Sequence, residues 1–259
     1  ISDRKRIVVK VGTSTLTHRP GMLNIRRVEQ LVKTLADIQN SGHEVILVSS
    51  GAIGLGMGKL GLRERPKDTP GKQACAAVGQ CELMYLYDNL FAEYSITVAQ
   101  MLLTKYILLE DRRKNVENAM ERLIAHGAIP IINENDTVAI DELELEVGEN
   151  DSLAATVAAI AKADLLIIMS DIDGLYDKDP HTYDDARLIP VVHEITDDIR
   201  ALAGGAGTKL GTGGMITKLN AVEIAYDSDI DVVLMNGQHP KTLYDLFDGK
   251  TVGTFFCKN

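Results

Sequence analysis

Apolar residues along this chain alternate between two kinds of spacing. Residues 7–11 (IVVKV), 44–48 (EVILV), 128–132 (AIPII) and 165–169 (LLIIM) are short runs rich in branched aliphatic side chains, which predict buried strands. Residues 96–102, 231–235 and 251–256 predict three more. Between the runs the apolar spacing lengthens to three or four residues. Ile25, Val28, Leu31, Val32, Leu35 and Ile38 share one helical face, opened by Asn24 as a cap and closed by Gly42. Helices are likewise expected over 73–94, over 114–126 with Gly127 as the stop, and over 151–162, 215–227 and 241–247. Strand–helix alternation with continuous apolar strands predicts an α/β protein with an open, mostly parallel sheet covered by helices on both sides. The pattern changes once. Leu143, Leu145 and Val147 alternate with Glu142, Glu144 and Glu146, the period-two mark of a half-exposed hairpin over 137–148. Residues 60–72 and 177–187 are polar loops. No Pro/Gly/Ser linker divides the 259 residues, so a single domain over 1–259 is expected.

Charge and cysteine usage narrow the function classes. Lys plus Arg number 27 against 37 Asp plus Glu, a formal charge of −10. This argues against nucleic acid as the main partner, because phosphate backbones are gripped by clustered cations. No run reaches the ~18 apolar residues that a membrane span needs, and residues 1–10 carry no signal-peptide pattern. Cys75, Cys81 and Cys257 are odd in number and form no CxxC, so neither a disulfide framework nor a zinc knuckle is indicated. These features predict a cytoplasmic protein with free thiols and no membrane partner.

In an open α/β sheet, ligands bind beyond the carboxyl ends of the strands. Four such ends are rich in small and polar residues: 10–14 (KVGTS), 49–52 (SSGA), 133–136 (NEND) and 170–174 (SDIDG). Glycines in 51–58 and 211–214 precede or open helical patterns. There, backbone amides can close on phosphate oxygens with the help of a helix N-terminus. The familiar nucleotide motifs are absent. Gly249-Lys250-Thr251 has the ending of a Walker A loop, but Tyr244 stands in place of its first glycine and a strand follows. Strand one is followed by Gly12 alone, which fails the dinucleotide fingerprint. There is no GxSxG or HExxH, and no metal-ligating residue is assigned. His43 and His126, beside glycines at helix ends, suit a dipole role better than a catalytic one. The clusters 133–136 and 148–151 read either as turn chemistry and a helix cap or as donors and acceptors for a zwitterionic ligand, with the hairpin between them as a lid.

Six segments together carry a resemblance: VKVGTS (9–14), VSSGAIGLG (48–56), INENDTVA (132–139), VGENDSLAA (147–155), SDIDGLY (170–176) and GTGGMITK (211–218). They closely resemble the glutamate 5-kinase branch of the amino acid kinase family, and the likeness runs from about residue 5 to residue 256. The resemblance implies a three-layer αβα sandwich whose N-terminal part mainly binds glutamate and whose C-terminal part mainly binds ATP. It implies ATP-dependent phosphorylation of the L-glutamate side-chain carboxylate to L-glutamyl 5-phosphate, the first step of proline biosynthesis. It also implies Mg²⁺, feedback inhibition by L-proline, a homo-oligomer (dimer or tetramer), and a glutamyl phosphate reductase that takes the labile product. Many members carry a C-terminal PUA domain, and this sequence resembles the shorter form without it.

Carried over residue by residue, the resemblance puts Lys10 and Lys218 on the ATP phosphates. Gly12, Ser170, Asp171, Thr212, Gly213, Gly214, Met215, Ile216 and Thr217 join them on the nucleotide side. Ser50, Gly51, Asn135, Asp136 and Asn150 would hold glutamate. Asp151 would orient the two lysines or organise the metal. Competing readings are a sister kinase acting on N-acetylglutamate or uridylate, and a catalytically silent amino-acid sensor. An acetylated substrate has no ammonium for Asp136 to meet, and a sensor's mark would be loss of a lysine, whereas both lysines are present.

Overall fold

The computed structural model describes residues 3, 5–18, 22–104, 110–138, 150–203 and 212–258. Residues 139–148 of the expected hairpin and the glycine stretch 207–211 lie outside them. In chain order the elements are β1 (Arg6–Val11), α1 (Thr13–Leu16), α2 (Ile25–Asn40), β2 (Glu44–Ser49), α3 (Ala52–Lys59), α4 (Thr69–Ala92), β3 (Val98–Leu103) and α5 (Glu110–Ala125). There follow β4 (Ile129–Glu134), α6 (Asp151–Ala161), β5 (Leu165–Ser170), β6 (Val191–Val192), α7 (Asp197–Ala203), α8 (Thr212–Tyr226), β7 (Asp231–Asn236), α9 (Thr242–Phe247) and β8 (Thr254–Phe256). The strands form one sheet in the order β3-β4-β2-β1-β5-β7-β8-β6. All neighbours run parallel except β7 and β8, which are antiparallel.

Strand alternation divides the core in two and produces the αβα sandwich. Val8, Ile46, Val48, Ile132, Leu166 and Ile168 face α5, α6 and α8. Their neighbours Ile7, Val9, Leu47, Ile131 and Ile167 face α2, α4 and α9. A strand enclosed on both faces has no polar side to show, which is why LLIIM is buried throughout.

Several boundaries move for local reasons. The Asn24 side chain accepts from the Arg27 amide at 3.2 Å and opens α2 as expected. The long helix α4 starts at Thr69 rather than 73, because the Asp68 carboxylate accepts from the Gly71 amide at 2.8 Å and Pro70 suits a first turn. The GTGG stretch ends within α8 itself, so Lys218 sits two turns into a helix and not at the end of a loop. The last strand is shorter than expected, the sequence pattern predicts neither α1, β6 nor α7, and the glycine-studded stretch after β2 is itself the helix α3.

The helices α3 and α4 cross at glycines. A Cβ on Gly79 would overlap the Ala52 carbonyl oxygen and lie 2.5 Å from the Gly56 nitrogen. One on Gly56 would overlap the Cys75 carbonyl. This contact fixes the height of α3, and with it Gly51, above the sheet. No helix among the described residues is long and apolar enough to cross a membrane.

Candidate active site

On β1, Lys10 follows Val8 on the face covered by α6 and α8, so strand alternation turns it toward the start of α6. The first residue of α6 is Asp151, fully buried. A carboxylate there gains from the helix dipole. Its Oδ1 lies 2.6 Å from Lys10 Nζ and its Oδ2 3.2 Å from Lys218 Nζ. Lys10 and Lys218 are only 4% and 5% exposed, so neither ammonium can turn to bulk solvent instead. Thr217 Oγ1 reaches the same Oδ2 at 3.3 Å, and Lys218 Nζ also donates to the Gly214 carbonyl at 3.0 Å. One buried carboxylate therefore holds two ammonium groups side by side, and the group as a whole keeps one net positive charge.

The two lysines form part of the wall of a cleft of about 420 Å³ at the carboxyl ends of the central strands. Gly12, Thr13 and Ser14 line it after β1; Ser50, Gly51 and Ala52 after β2; Asn133, Glu134 and Asp136 at the end of β4; and Met169, Ser170 and Asp171 at the end of β5. The chain departs from β1 first toward β2 and later toward β5, so this is the point where an open sheet splays its loops apart. Gly51 caps α3 at φ +103°, a conformation that a side chain would strain, and this brings its backbone to the cleft floor.

On the β2–β4 side a buried amide chain supports the wall. Asn150 Nδ2 donates to the Ser49 carbonyl at 3.2 Å and to Asn133 Oδ1 at 2.8 Å. Asn133 Nδ2 donates to Gln80 Oε1 at 2.8 Å. The Ser49 and Tyr87 hydroxyls are 2.9 Å apart, and burial pushes the tyrosine hydroxyl's pKa up. Asp136 sits half-buried at the edge. Burial raises its carboxyl to about 6, with Arg65 pulling in the other direction.

Of the residues expected from sequence, Lys10, Gly12, Ser50, Gly51, Asp136, Asn150, Ser170, Asp171 and Lys218 line the cleft. Asp151 and Thr217 stand directly behind the lysines. Asn135 is not among the lining residues, and its side chain accepts from Thr137 Oγ1 at 2.6 Å in a turn. Thr212, Gly213 and Gly214 open α8; on its outer face Ile216 is exposed, while Met215 packs against the core. Sequence reasoning takes in Asn133 only as a member of the 133–136 cluster and misses Arg65. Asn133 had a signal, since it continues the alternation of Ile129 and Ile131 by one step. Arg65 lies in a polar loop with no periodicity to place it.

The fit to a metal can be read from the same side chains. Among the described residues no three His, Cys, Asp or Glu converge on one point. Both oxygens of Asp151 are already engaged by lysines. The described residues thus offer no protein cage, which suits an ion carried in on nucleotide phosphates with its own waters.

Comparison with known proteins shows the family. The model of the amino acid kinase family matches residues 5–236. The glutamate 5-kinase of Clostridium perfringens is 52% identical over 99% of this chain and 96% of its own length. That of Caldanaerobacter subterraneus is also 52% identical, over 97% of this chain and 67% of its own length. Among solved structures, the isopentenyl phosphate kinase of T. acidophilum superposes with a TM-score of 0.65 at 19% identity, covering 97% of this chain and 100% of the other. The UMP kinase of Ureaplasma parvum does so with 0.65 at 16%, covering 98% and 99%. The fold is thus shared with kinases of quite different acceptors, whereas the sequence is shared at about half its positions with one kind, and the chain belongs to the amino acid kinase family, in its glutamate 5-kinase branch.

Proposed function

We infer that this chain transfers the γ-phosphoryl group of ATP to the side-chain carboxylate of L-glutamate, giving ADP and L-glutamyl 5-phosphate, as the first step of proline biosynthesis. The observation that carries this reading is the buried Lys10–Asp151–Lys218 group, set between two sets of strand ends with different chemistry. ATP lies on the β5 side, near Ser170, Asp171 and the start of α8. Glutamate lies on the β2–β4 side, held by Ser50, Asp136 and Asn150.

The chemistry needs no general base. A glutamate carboxylate has a reference pKa of ~4.3 and is already a nucleophile at neutral pH. One carboxylate oxygen bonds to the γ-phosphorus, the bond from that phosphorus to the β,γ-bridging oxygen breaks, and ADP leaves. The obstacle is repulsion between two anions. Lys10 and Lys218 lower it, and the Gly12 and Gly51 amides add dipoles aimed at the developing charge. Mg²⁺ bound to the ATP phosphates would supply further neutralisation. The product is a mixed anhydride, so a reductase that consumes it promptly fits its lability. L-proline shares the α-carboxylate and the α-nitrogen of glutamate and suits the same contacts as an inhibitor. The chain works in the cytoplasm as a homo-oligomer in this reading; its thiols are not in disulfides, which suits a reducing compartment.

The test is hydroxamate formation with MgATP, using L-glutamate, N-acetylglutamate and L-aspartate side by side. Glutamate should give γ-glutamyl hydroxamate. N-acetylglutamate should be about 30-fold or more poorer in kcat/KM, because Asp136 would be left without its ammonium. Aspartate, one methylene shorter, cannot bring its carboxylate within the ~3–3.5 Å of a near-attack geometry. Equal rates with the acetylated acid would overturn the substrate assignment.

The raised carboxyl of Asp136 gives a second expectation. Below about 6 the group in the free enzyme is protonated, and a neutral carboxyl cannot pair with an ammonium. The kcat/KM for glutamate should therefore be flat above that pH and fall about tenfold per unit below it. Asp136→Asn should abolish this acid limb and leave a uniformly low value. A limb that survives the substitution assigns the titration to another group.

A further inference from the structure

We propose that Gln80, on the core face of α4, is a positioning residue that strengthens the substrate preference for an α-ammonium by helping, through Asn133, to hold the Asn150 oxygen toward the cleft. The inference rests on the reading of that cleft as a glutamate site.

An amide side chain has one accepting end and one donating end, so a chain of amides can be read only one way once its backbone partners are known. Two backbone groups fix the reading here. The Glu134 N–H donates to Asn133 Oδ1 at 2.9 Å, so the oxygen of Asn133 must point that way. The Ser49 carbonyl can only accept, so Asn150 must direct Nδ2 toward it. Asn150 Nδ2 also donates to Asn133 Oδ1, which uses both of its protons. Its Oδ1 is then the side-chain atom left for the cleft that Asn150 lines. An outward carbonyl oxygen accepts from an ammonium; an outward NH₂ would repel it.

Gln80 closes the other end of this chain. Asn133 is 3% exposed, so its Nδ2 must find an acceptor inside the protein, and Gln80 Oε1 is that acceptor. Gln80 is itself 9% exposed, and its Nε2 is buried with no hydrogen-bond partner among the described residues. A buried donor without a partner is a standing cost. The side chain is therefore useful here for its oxygen. Seven residues on, at nearly the same angle around α4, Tyr87 meets the Ser49 hydroxyl. One helix face thus holds the ends of both β2 and β4. Without the acceptor at position 80, Asn133 would gain by tipping its NH₂ elsewhere, and Asn150 would lose one of the two acceptors that hold its NH₂ inward, keeping only the Ser49 carbonyl.

The experiment compares kcat/KM for L-glutamate and for glutarate, which keeps both carboxylates and lacks the ammonium. Both acids are followed as hydroxamates with MgATP. The wild-type protein should prefer glutamate by about 100-fold or more. Gln80→Met, which keeps the volume and removes the acceptor, should lower that preference about tenfold, mainly through the KM for glutamate, with glutarate little changed. Gln80→Glu, neutral in this buried position, keeps a carbonyl oxygen facing Asn133 and puts a single O–H in place of the orphaned NH₂, so it should hold the preference within about threefold of wild type. Equal losses on both acids in Gln80→Met would mean a structural role only and overturn the proposal. So would an unchanged preference in that variant. If Gln80→Met does not fold, Gln80→Glu decides alone, since a fall in its preference contradicts the acceptor role. Wild-type protein that makes no glutamyl hydroxamate would instead remove the substrate reading, and the inference with it.

Discussion

Asp151→Asn should lower turnover by about 10³-fold or more, equivalent to about 4 kcal/mol of transition-state stabilisation. The reason lies in the pairing of one carboxylate oxygen with each lysine, at 2.6 and 3.2 Å. An asparagine has the same shape, but only one of its ends accepts. The other would present N–H groups to a buried ammonium. One lysine must then swing away, and the two positive charges lose the negative charge that lets them sit together. Both effects fall on the step in which charge moves onto the leaving phosphate, so kcat should drop more than the KM for glutamate rises. Breaking a buried ion pair by removing one partner also costs about 3–5 kcal/mol of stability. Urea unfolding at neutral pH should show that loss beside the kinetics. Near-normal turnover with only a raised glutamate KM would place Asp151 on the amino acid and not between the lysines.

A larger side chain at the crossing of α3 and α4 should do comparable damage from a distance. Gly79→Ala puts a methyl group where the Ala52 carbonyl oxygen already stands. Both neighbours are backbone, so no side chain can turn aside to make room. The helices must separate, at a cost of about 3 kcal/mol or more, the upper end of what overpacking does. Because α3 starts one residue after Gly51, the same displacement lifts the cleft floor, and activity should fall in whatever fraction still folds. Gly54→Ala is the control in the same short helix. Its added methyl meets Thr13 Cγ2 at 3.6 Å, an ordinary contact. That variant should keep or slightly gain stability, by up to about 1 kcal/mol, through the lower entropy of its unfolded chain. Equal midpoints for the two variants in denaturant would show that the close approach at Gly79 carries no constraint.

How far the sequence discloses the fold depends on how many residues each element has to show its period. The strand LLIIM and the helix opened by Asn24 are legible because five or more positions repeat one spacing. β6 has two residues, Val191 and Val192, and α7 has seven, too few for a period to stand out from a loop. α4 starts four residues before its apolar pattern does, because the cap Asp68 and Pro70 begin the hydrogen bonding earlier than the apolar spacing shows. The site divides in the same way. Lys10, Asp151 and Lys218 were named through resemblance, and nothing in their spacing alone says that one carboxylate bridges two ammoniums across three elements. Resemblance selects Asn135 and not Asn133 from an Asn-Glu-Asn-Asp cluster that has no preferred member until strand alternation is counted to the end of β4. Gln80 had no signal at all. A glutamine on an otherwise apolar helix face shows its use only when its oxygen is seen against an amide from another element.

The place of β1 in the sheet bears on how the chain is made. Among the described strands β1 is the first to be synthesised, and it lies in the middle of the sheet, between β2 and β5. Its β2 edge can be satisfied early, since the partner ends at Ser49, whereas its other edge waits for Leu165. At ~5–20 residues per second of translation, the intervening stretch takes roughly 6–23 s. For that time a strand with five of its six residues destined for burial has one hydrogen-bonding edge without its native partner. An unpaired apolar edge is a template for strands from other chains. A nascent chain of this topology is therefore most exposed to misassembly in the middle of its synthesis, and least once β5 has emerged.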